Sequence, residues 1–166
     1  MTEKVIQSKS KLQIGDEAPD FALPAQDGKK IHISDYRGKK NVMLAFFPQA
    51  FTPVCSHQLP SYSEKVNKFE KLNTQVLAIG VASIPVHIAW IDSLGGLDFP
   101  LLADWVPYAE VSKKYDAFIP SLGFGKRAIF IIDKKGIIRY IDIPHELNEG
   151  PPDEDKIFKI LRELQD

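Results

Sequence analysis

Cys55 is the single cysteine among 166 residues. It closes the segment Phe47-Pro48-Gln49-Ala50-Phe51-Thr52-Pro53-Val54-Cys55, which joins a continuous apolar run, Asn41 to Phe47, to a helical pattern downstream. A thiol in the first turn of a helix faces unpaired backbone N–H groups and the positive end of the helix dipole, and both favour the thiolate. The thiolate is the nucleophilic form. Thr52, three residues earlier, can return its hydroxyl to the sulfur or to a bound oxygen. Pro48 and Pro53 stiffen the approach, and Phe46, Phe47 and Phe51 supply apolar walls. A solitary cysteine is more often a small buried hydrophobe than a reagent, so an inert thiol in a packed scaffold is the alternative that position alone leaves open.

The elements that would hold this sulfur can be read from periodicity. Phe21 to Leu23 and Lys30 to Ile33 flank Asp27-Gly28 and predict a hairpin. Asn41 to Phe47, ended by Pro48, reads as a strand buried on both faces. Leu59, Tyr62, Val66, Phe69 and Leu72 recur at helical spacing and predict one long helix with Cys55 at or just inside its first turn. Pro60 lies within it and removes a bond to the carbonyl of Ser56, so a kink or a weak first turn is expected. Gln75 to Val81 is a second buried strand. Ser83 caps a helix whose buried face is expected to be Ile84, Ile88, Ile91 and Leu94, stopped by Gly95-Gly96. A short strand at Phe99 to Ala103 precedes a helix opened by Pro107, with Tyr108, Val111 and Tyr115 on one side. Ala128 to Ile132 and Ile137 to Ile143 form an antiparallel pair across Asp133-Lys134-Lys135-Gly136. Pro152 and Asp153 start a last helix with Ile157, Ile160, Leu161 and Leu164 as its buried stripe. The order predicts one α/β domain over residues 1–166, with a mixed central sheet and helices on both faces.

Composition excludes other classes. With 21 basic and 22 acidic residues the formal net charge is −1, and no basic stripe appears, so nucleic acid is not an expected partner. No apolar run has the length of a membrane span. The residues before about Ile14 are polar and read as a frayed or edge segment instead of a secretory leader. One thiol forms no internal disulfide, so a cytoplasmic, reducing location is expected. Cys55 and His57 point to different sides of a helix, and only His32, His87 and His145 remain, so neither a metal nor another cofactor is expected. Gly123-Phe124-Gly125-Lys126-Arg127-Ala128 fits a dinucleotide fingerprint formally. It leads into a strand instead of a helix, which makes it a flexible loop presenting Arg127. By position alone Arg127 is an exposed residue at a strand end.

Pro48, Thr52 and Cys55 fit the pattern P-x-x-x-T-x-x-C, and here the chain resembles the peroxiredoxins. Gly15 to Phe21 with Leu23, Asp27-Gly28 through Ser34 to Lys39, Phe99 to Asp104, and Arg127 to Asp133 with Gly136 are similar to further blocks of that family, in order. The resemblance implies a thioredoxin-like fold and a hydroperoxide substrate. Cys55 would attack the peroxide and become a sulfenic acid, with water or an alcohol released. Arg127 would stabilise the thiolate and orient the peroxide, Thr52 would bond its oxygens, Pro48 would shield the site, and Phe51 and Gln58 would line it. Ser56, His57 and Gln58 depart from the threonines and glutamate that many members carry after the cysteine; Gln58 can bond the arginine but brings no charge. Pro60 stands where a subset has a second cysteine, so the resemblance implies a one-cysteine enzyme near the alkyl hydroperoxide reductase E and bacterioferritin-comigratory branches. Its reductant would be an external thiol: thioredoxin, glutaredoxin or a small thiol. A homodimer is implied too, with Trp90, Phe51 and Phe124 as candidate exposed apolar residues. A redox sensor or holdase using the same sulfur is the rival reading.

Overall fold

The computed structural model describes residues 12–144 and 152–165. The expected frayed segment falls mostly on residues 1–11, and it and His145 lie outside the described residues. Five strands form the central sheet: β3 (Asn41–Phe46), β4 (Thr74–Gly80), β5 (Leu101–Ala103), β8 (Ala128–Ile132) and β9 (Ile138–Asp142). Their order is β5-β4-β3-β8-β9. β3 runs parallel to β4 and antiparallel to β8, so the sheet is mixed as expected. The expected amino-terminal hairpin is β1 (Ala22–Pro24) against β2 (Lys30–His32). Gly136, at φ 83°, closes the β8–β9 turn in the left-handed region.

β3 is buried along its whole length, and alternate residues serve opposite layers. Val42, Leu44 and Phe46 join Leu77, Ile79, Phe130 and Tyr115 on one side. Met43, Ala45 and Phe47 join Cys55, Leu59, Tyr62, Phe69, Trp90 and Phe158 on the other. The second layer is covered by α1 (Pro53–Glu64), α2 (Val66–Lys71), α3 (Ile84–Leu94) and α5 (Glu154–Glu163); the first is covered by α4 (Glu110–Lys114) and the hairpin. The cysteine is therefore packed directly on the sheet.

Several expectations change. The single long helix is two, divided at Lys65 (φ −106°, ψ 14°). α1 continues through Pro60 without ending there. On α3 the buried residues are His87 and Trp90, while Ile88 is exposed. Pro107 and Tyr108 precede α4 instead of opening it, and both are exposed. On α5 Phe158 is buried beside Ile157 and Leu161, whereas Ile160 and Leu164 are half-buried. The segment before Arg127 is a short hairpin, β6 (Phe118–Ile119) with β7 (Phe124–Gly125), and not a free loop.

Candidate active site

Two strand ends bring the candidate residues together. Phe46 pairs with Ala128 across β3 and β8, so the next residue out on each strand, Phe47 and Arg127, stand at the same edge. From Phe47 the chain turns through Pro48 to Thr52 into α1. Pro53 forces its predecessor extended, and Thr52 takes φ −88°, ψ 151° as the helix N-cap. Phe51 sits at φ 66°, in the left-handed region that bulky side chains rarely adopt. Pro53 suits the first helical position, where no N–H is needed. Cys55 is then the third residue of α1. The other strand end is fixed by Gly125. A Cβ there would lie 3.2 Å from both the Ala117 and Phe47 carbonyl oxygens, so a side chain at this position would push both backbones back by a few tenths of an ångström.

Arg127 Nη1 donates to Cys55 Sγ at 3.5 Å and to Gln58 Oε1 at 3.1 Å. Gln58 Nε2 donates to the Tyr62 hydroxyl at 3.1 Å. Cys55, Gln58, Tyr62 and Arg127 are all buried, with Arg127 only 5% exposed. The exposed place that position alone gave Arg127 is thus replaced by a buried guanidinium. No carboxylate pairs with it among the described residues, and its Nε has no partner there. Burial pushes the Tyr62 pKa up, against the smaller opposing effect of its bond to Gln58, so the phenol stays protonated.

The other expected residues surround this line. Thr52 Oγ1 donates to the Gln49 carbonyl at 2.8 Å, which occupies its proton and leaves its lone pairs as acceptors. Pro48 is half-buried at the start of the loop and Phe51 is exposed at its tip. Helical spacing alone predicts Tyr62 as a packing residue. Tyr62 stands four residues after Gln58 and seven after Cys55, a spacing that places all three along one helix face.

Trp90 has no exposed surface, contrary to its expected place on an exposed apolar patch. Its indole N–H donates to Ser56 Oγ at 3.2 Å, and its ring packs 5.1 Å from Phe47 and 6.4 Å from Phe51. It ties α3 to the first turn of α1 and backs the loop between them.

His87 lies behind Phe47, ring centroids 6.1 Å apart. It has no exposed surface, and neither ring nitrogen has a partner among the described residues. Loss of hydration lowers its pKa from 6.5 to about 4. The unfolded chain takes up this proton below pH 6.5, and the folded chain only near pH 4. The neutral ring's contribution is therefore complete above pH 6.5 and lost as pH falls towards 4. Stability is expected to drop by about 2 kcal/mol from this group between pH 7.5 and pH 5, read from urea unfolding. His87→Phe, which does not titrate, should lose that part of the slope.

The likeness to known proteins covers most of the chain. Residues 14–141 match the AhpC/TSA family. Alkyl hydroperoxide reductase E of Mycobacterium tuberculosis (strain ATCC 25618 / H37Rv) is 39% identical over 132 residues, 80% of this chain and 86% of that protein. Peroxiredoxin-2 of Mus musculus is 41% identical over 140 residues, 79% of this chain and 69% of that one. The reduced 2-Cys peroxiredoxin of Plasmodium vivax superposes with a TM-score of 0.82 at 28% identity, covering 91% of this chain and 81% of the other. The fold is thioredoxin-like, and the chain belongs to the AhpC/TSA family: it is a peroxiredoxin.

Proposed function

We propose that this protein is a thiol-dependent peroxidase that reduces hydrogen peroxide or organic hydroperoxides at Cys55 and is recycled by an external thiol. The observation that carries the reading is the buried guanidinium of Arg127, whose hydrogen-bond partners are the Cys55 sulfur and a neutral amide. Burying a cation away from water is expensive unless an anion meets it. The thiolate is the anion this geometry offers, and that weighs against an inert cysteine.

The thiolate attacks the distal peroxide oxygen, an S–O bond forms and the O–O bond breaks. Charge moves from sulfur to the departing oxygen, and fixed donors aimed along that path lower the barrier. Arg127 supplies them. Thr52 accepts from the peroxide O–H, while Pro48 and Phe51 keep water from the loop. Gln58 holds Arg127, and Tyr62 holds Gln58. With one cysteine in the sequence, the sulfenic acid is returned to the thiol by a second molecule such as thioredoxin, glutaredoxin or a small thiol. Cys55 has no exposed surface, so a bulky reductant reaches it only when the first turn of α1 opens. Pro60 leaves the Ser56 carbonyl without its helical bond and favours that opening.

The reading includes a cytoplasmic location, consistent with a lone thiol, and a homodimer. Trp105, Val106, Tyr108 and Leu122 are exposed apolar residues beside the hairpin that leads to Arg127, with Val106 80% exposed, and such a patch suits a second copy. Sedimentation of the reduced protein tests this, and a monomer at all concentrations would remove it. The enzyme reading is tested by steady-state peroxide consumption with each class of thiol. Sustained turnover that Cys55→Ser abolishes is expected. Oxidation without turnover under every reductant would favour the sensor or holdase.

A further inference from the structure

The first turn of α1 is held to the rest of the protein from two sides. Arg127 Nη1 donates to Cys55 Sγ and Gln58 Oε1. From α3, the Trp90 indole N–H donates to Ser56 Oγ at 3.2 Å. Oxidation treats the two ties differently. The bond to sulfur draws on the thiolate charge, and a neutral sulfenic acid weakens it. The bond to Ser56 involves no sulfur and persists. It is also firmly aimed: Trp90 has no exposed surface, its ring packs 5.1 Å from Phe47, and indole offers one donor and no acceptor. With Ser56 Oγ gone, that N–H would be a buried donor without a partner.

The backbone marks where the helix can part. Ser56 N–H donates to the Thr52 carbonyl at 2.9 Å, whereas Pro60 has no N–H to offer the Ser56 carbonyl. Beyond Pro60 the helix is anchored to α5: Ser61 Oγ donates to Glu154 Oε2 at 2.5 Å, and Lys65 Nζ pairs with Glu154. Pro60 therefore divides α1 into an anchored half and a half whose release depends on Ser56.

Resting on the peroxidase reading above, we infer that Ser56 is a positioning residue: its hydroxyl, held by Trp90 Nε1, latches the first turn of α1 shut and sets how often oxidised Cys55 is presented to the reducing thiol. Cys55 has no exposed surface, so the thiol reaches it when this latch is released. The reductant's thiolate then attacks the Cys55 sulfur. An S–S bond forms, the S–O bond breaks, and hydroxide leaves and takes a proton to become water. A second thiolate attacks the reductant's sulfur in that mixed disulfide and frees Cys55. The sulfenic acid and two thiols thus give one thiol, one disulfide and water, with Cys55 reduced by two electrons. Ser56 takes no part in the bond changes; it acts through the position of the turn.

The test reads two steps separately by double-mixing stopped flow: oxidation by one equivalent of hydrogen peroxide, then reduction by dithiothreitol. Amide exchange of the Val54–Gln58 peptide, by mass spectrometry, reports the opening itself. Ser56→Ala removes the acceptor and should raise both the exchange and the dithiothreitol rate about fivefold, the effect of one net hydrogen bond, while the peroxide rate stays within about twofold. Ser56→Thr keeps the oxygen and should restore the wild-type values. Trp90→Phe keeps an aromatic ring and loses the N–H; added to Ser56→Ala it should give no further acceleration, because both changes remove the same bond. A general loosening would speed exchange in β3 as well and would not be rescued by threonine. Unchanged exchange and reduction in Ser56→Ala, or a Ser56→Thr as fast as Ser56→Ala, overturns the inference, while a fast reaction of Cys55 with peroxide leaves the peroxidase reading intact. A wild type that reacts with hydrogen peroxide no faster than free cysteine overturns both.

Discussion

Arg127→Met is expected to slow oxidation of Cys55 by hydrogen peroxide by about 10²- to 10³-fold, the usual effect of removing one fixed donor from a developing charge. The guanidinium is only 5% exposed and its Nη1 serves sulfur and amide together, so no water stands ready to replace it. Methionine keeps much of the side-chain length and loses the donors. Arg127→Lys keeps the charge but offers a compact point donor in place of the planar fork, and should recover only part of the rate. Removing the donor leaves Gln58 Oε1 buried and unpaired, which costs about 1–3 kcal/mol of stability. Rates must therefore be read at a temperature where each variant is folded by circular dichroism. A folded Arg127→Met that reacts at the wild-type rate would remove Arg127 from the chemistry.

The second large effect acts from behind the site. Gly80→Ala places a methyl carbon 2.3 Å from Phe47 Cζ and 2.9 Å from His87 Nε2. Gly80 ends β4, and the obstacle concerns space only. The Phe47 ring cannot withdraw freely, because Trp90 lies 5.1 Å from it and His87 6.1 Å. Overpacking of this kind costs about 1–3 kcal/mol, occasionally more, and should appear as a lower urea midpoint. Phe47 leads straight into the Pro48–Thr52 turn, so any shift that relieves the clash passes to the loop above Cys55. The peroxide rate should fall along with stability. A variant as stable and as fast as the wild type would show that Phe47 does not fix the loop.

How far the site was legible follows from which signals are local. Pro48, Thr52 and Cys55 sit within one strand-turn-helix segment, and sequence places them correctly because the turn, the proline at the first helical position and the apolar strand are each written in a few neighbouring residues. Arg127 lies far along the chain. Strand pairing puts it beside Phe47, and no spacing announces that contact; only the family resemblance singled it out. The expected bond from Gln58 to Arg127 is present at 3.1 Å. α3 was misread because it is apolar on more than one side. Ile84, Ile88, Ile91 and Leu94 make a helical stripe as regular as that of His87 and Trp90, and periodicity cannot choose between them. The space left by Gly80 and the ring of Phe47 does, by accepting the imidazole and the indole. The break at Lys65 carries no glycine or proline, and the two-residue strands β6 and β7 are too short for any period to register.

The most direct measurement is mass spectrometry of the reduced protein after one equivalent of hydrogen peroxide in the presence of dimedone, followed over time against free cysteine. A single adduct on Cys55, forming many times faster than on the free amino acid and absent from Cys55→Ser, is the expected result. A Cys55 that stays unlabelled, or that labels only at the pace of free cysteine, would contradict the assignment of this sulfur as the peroxide-reducing group.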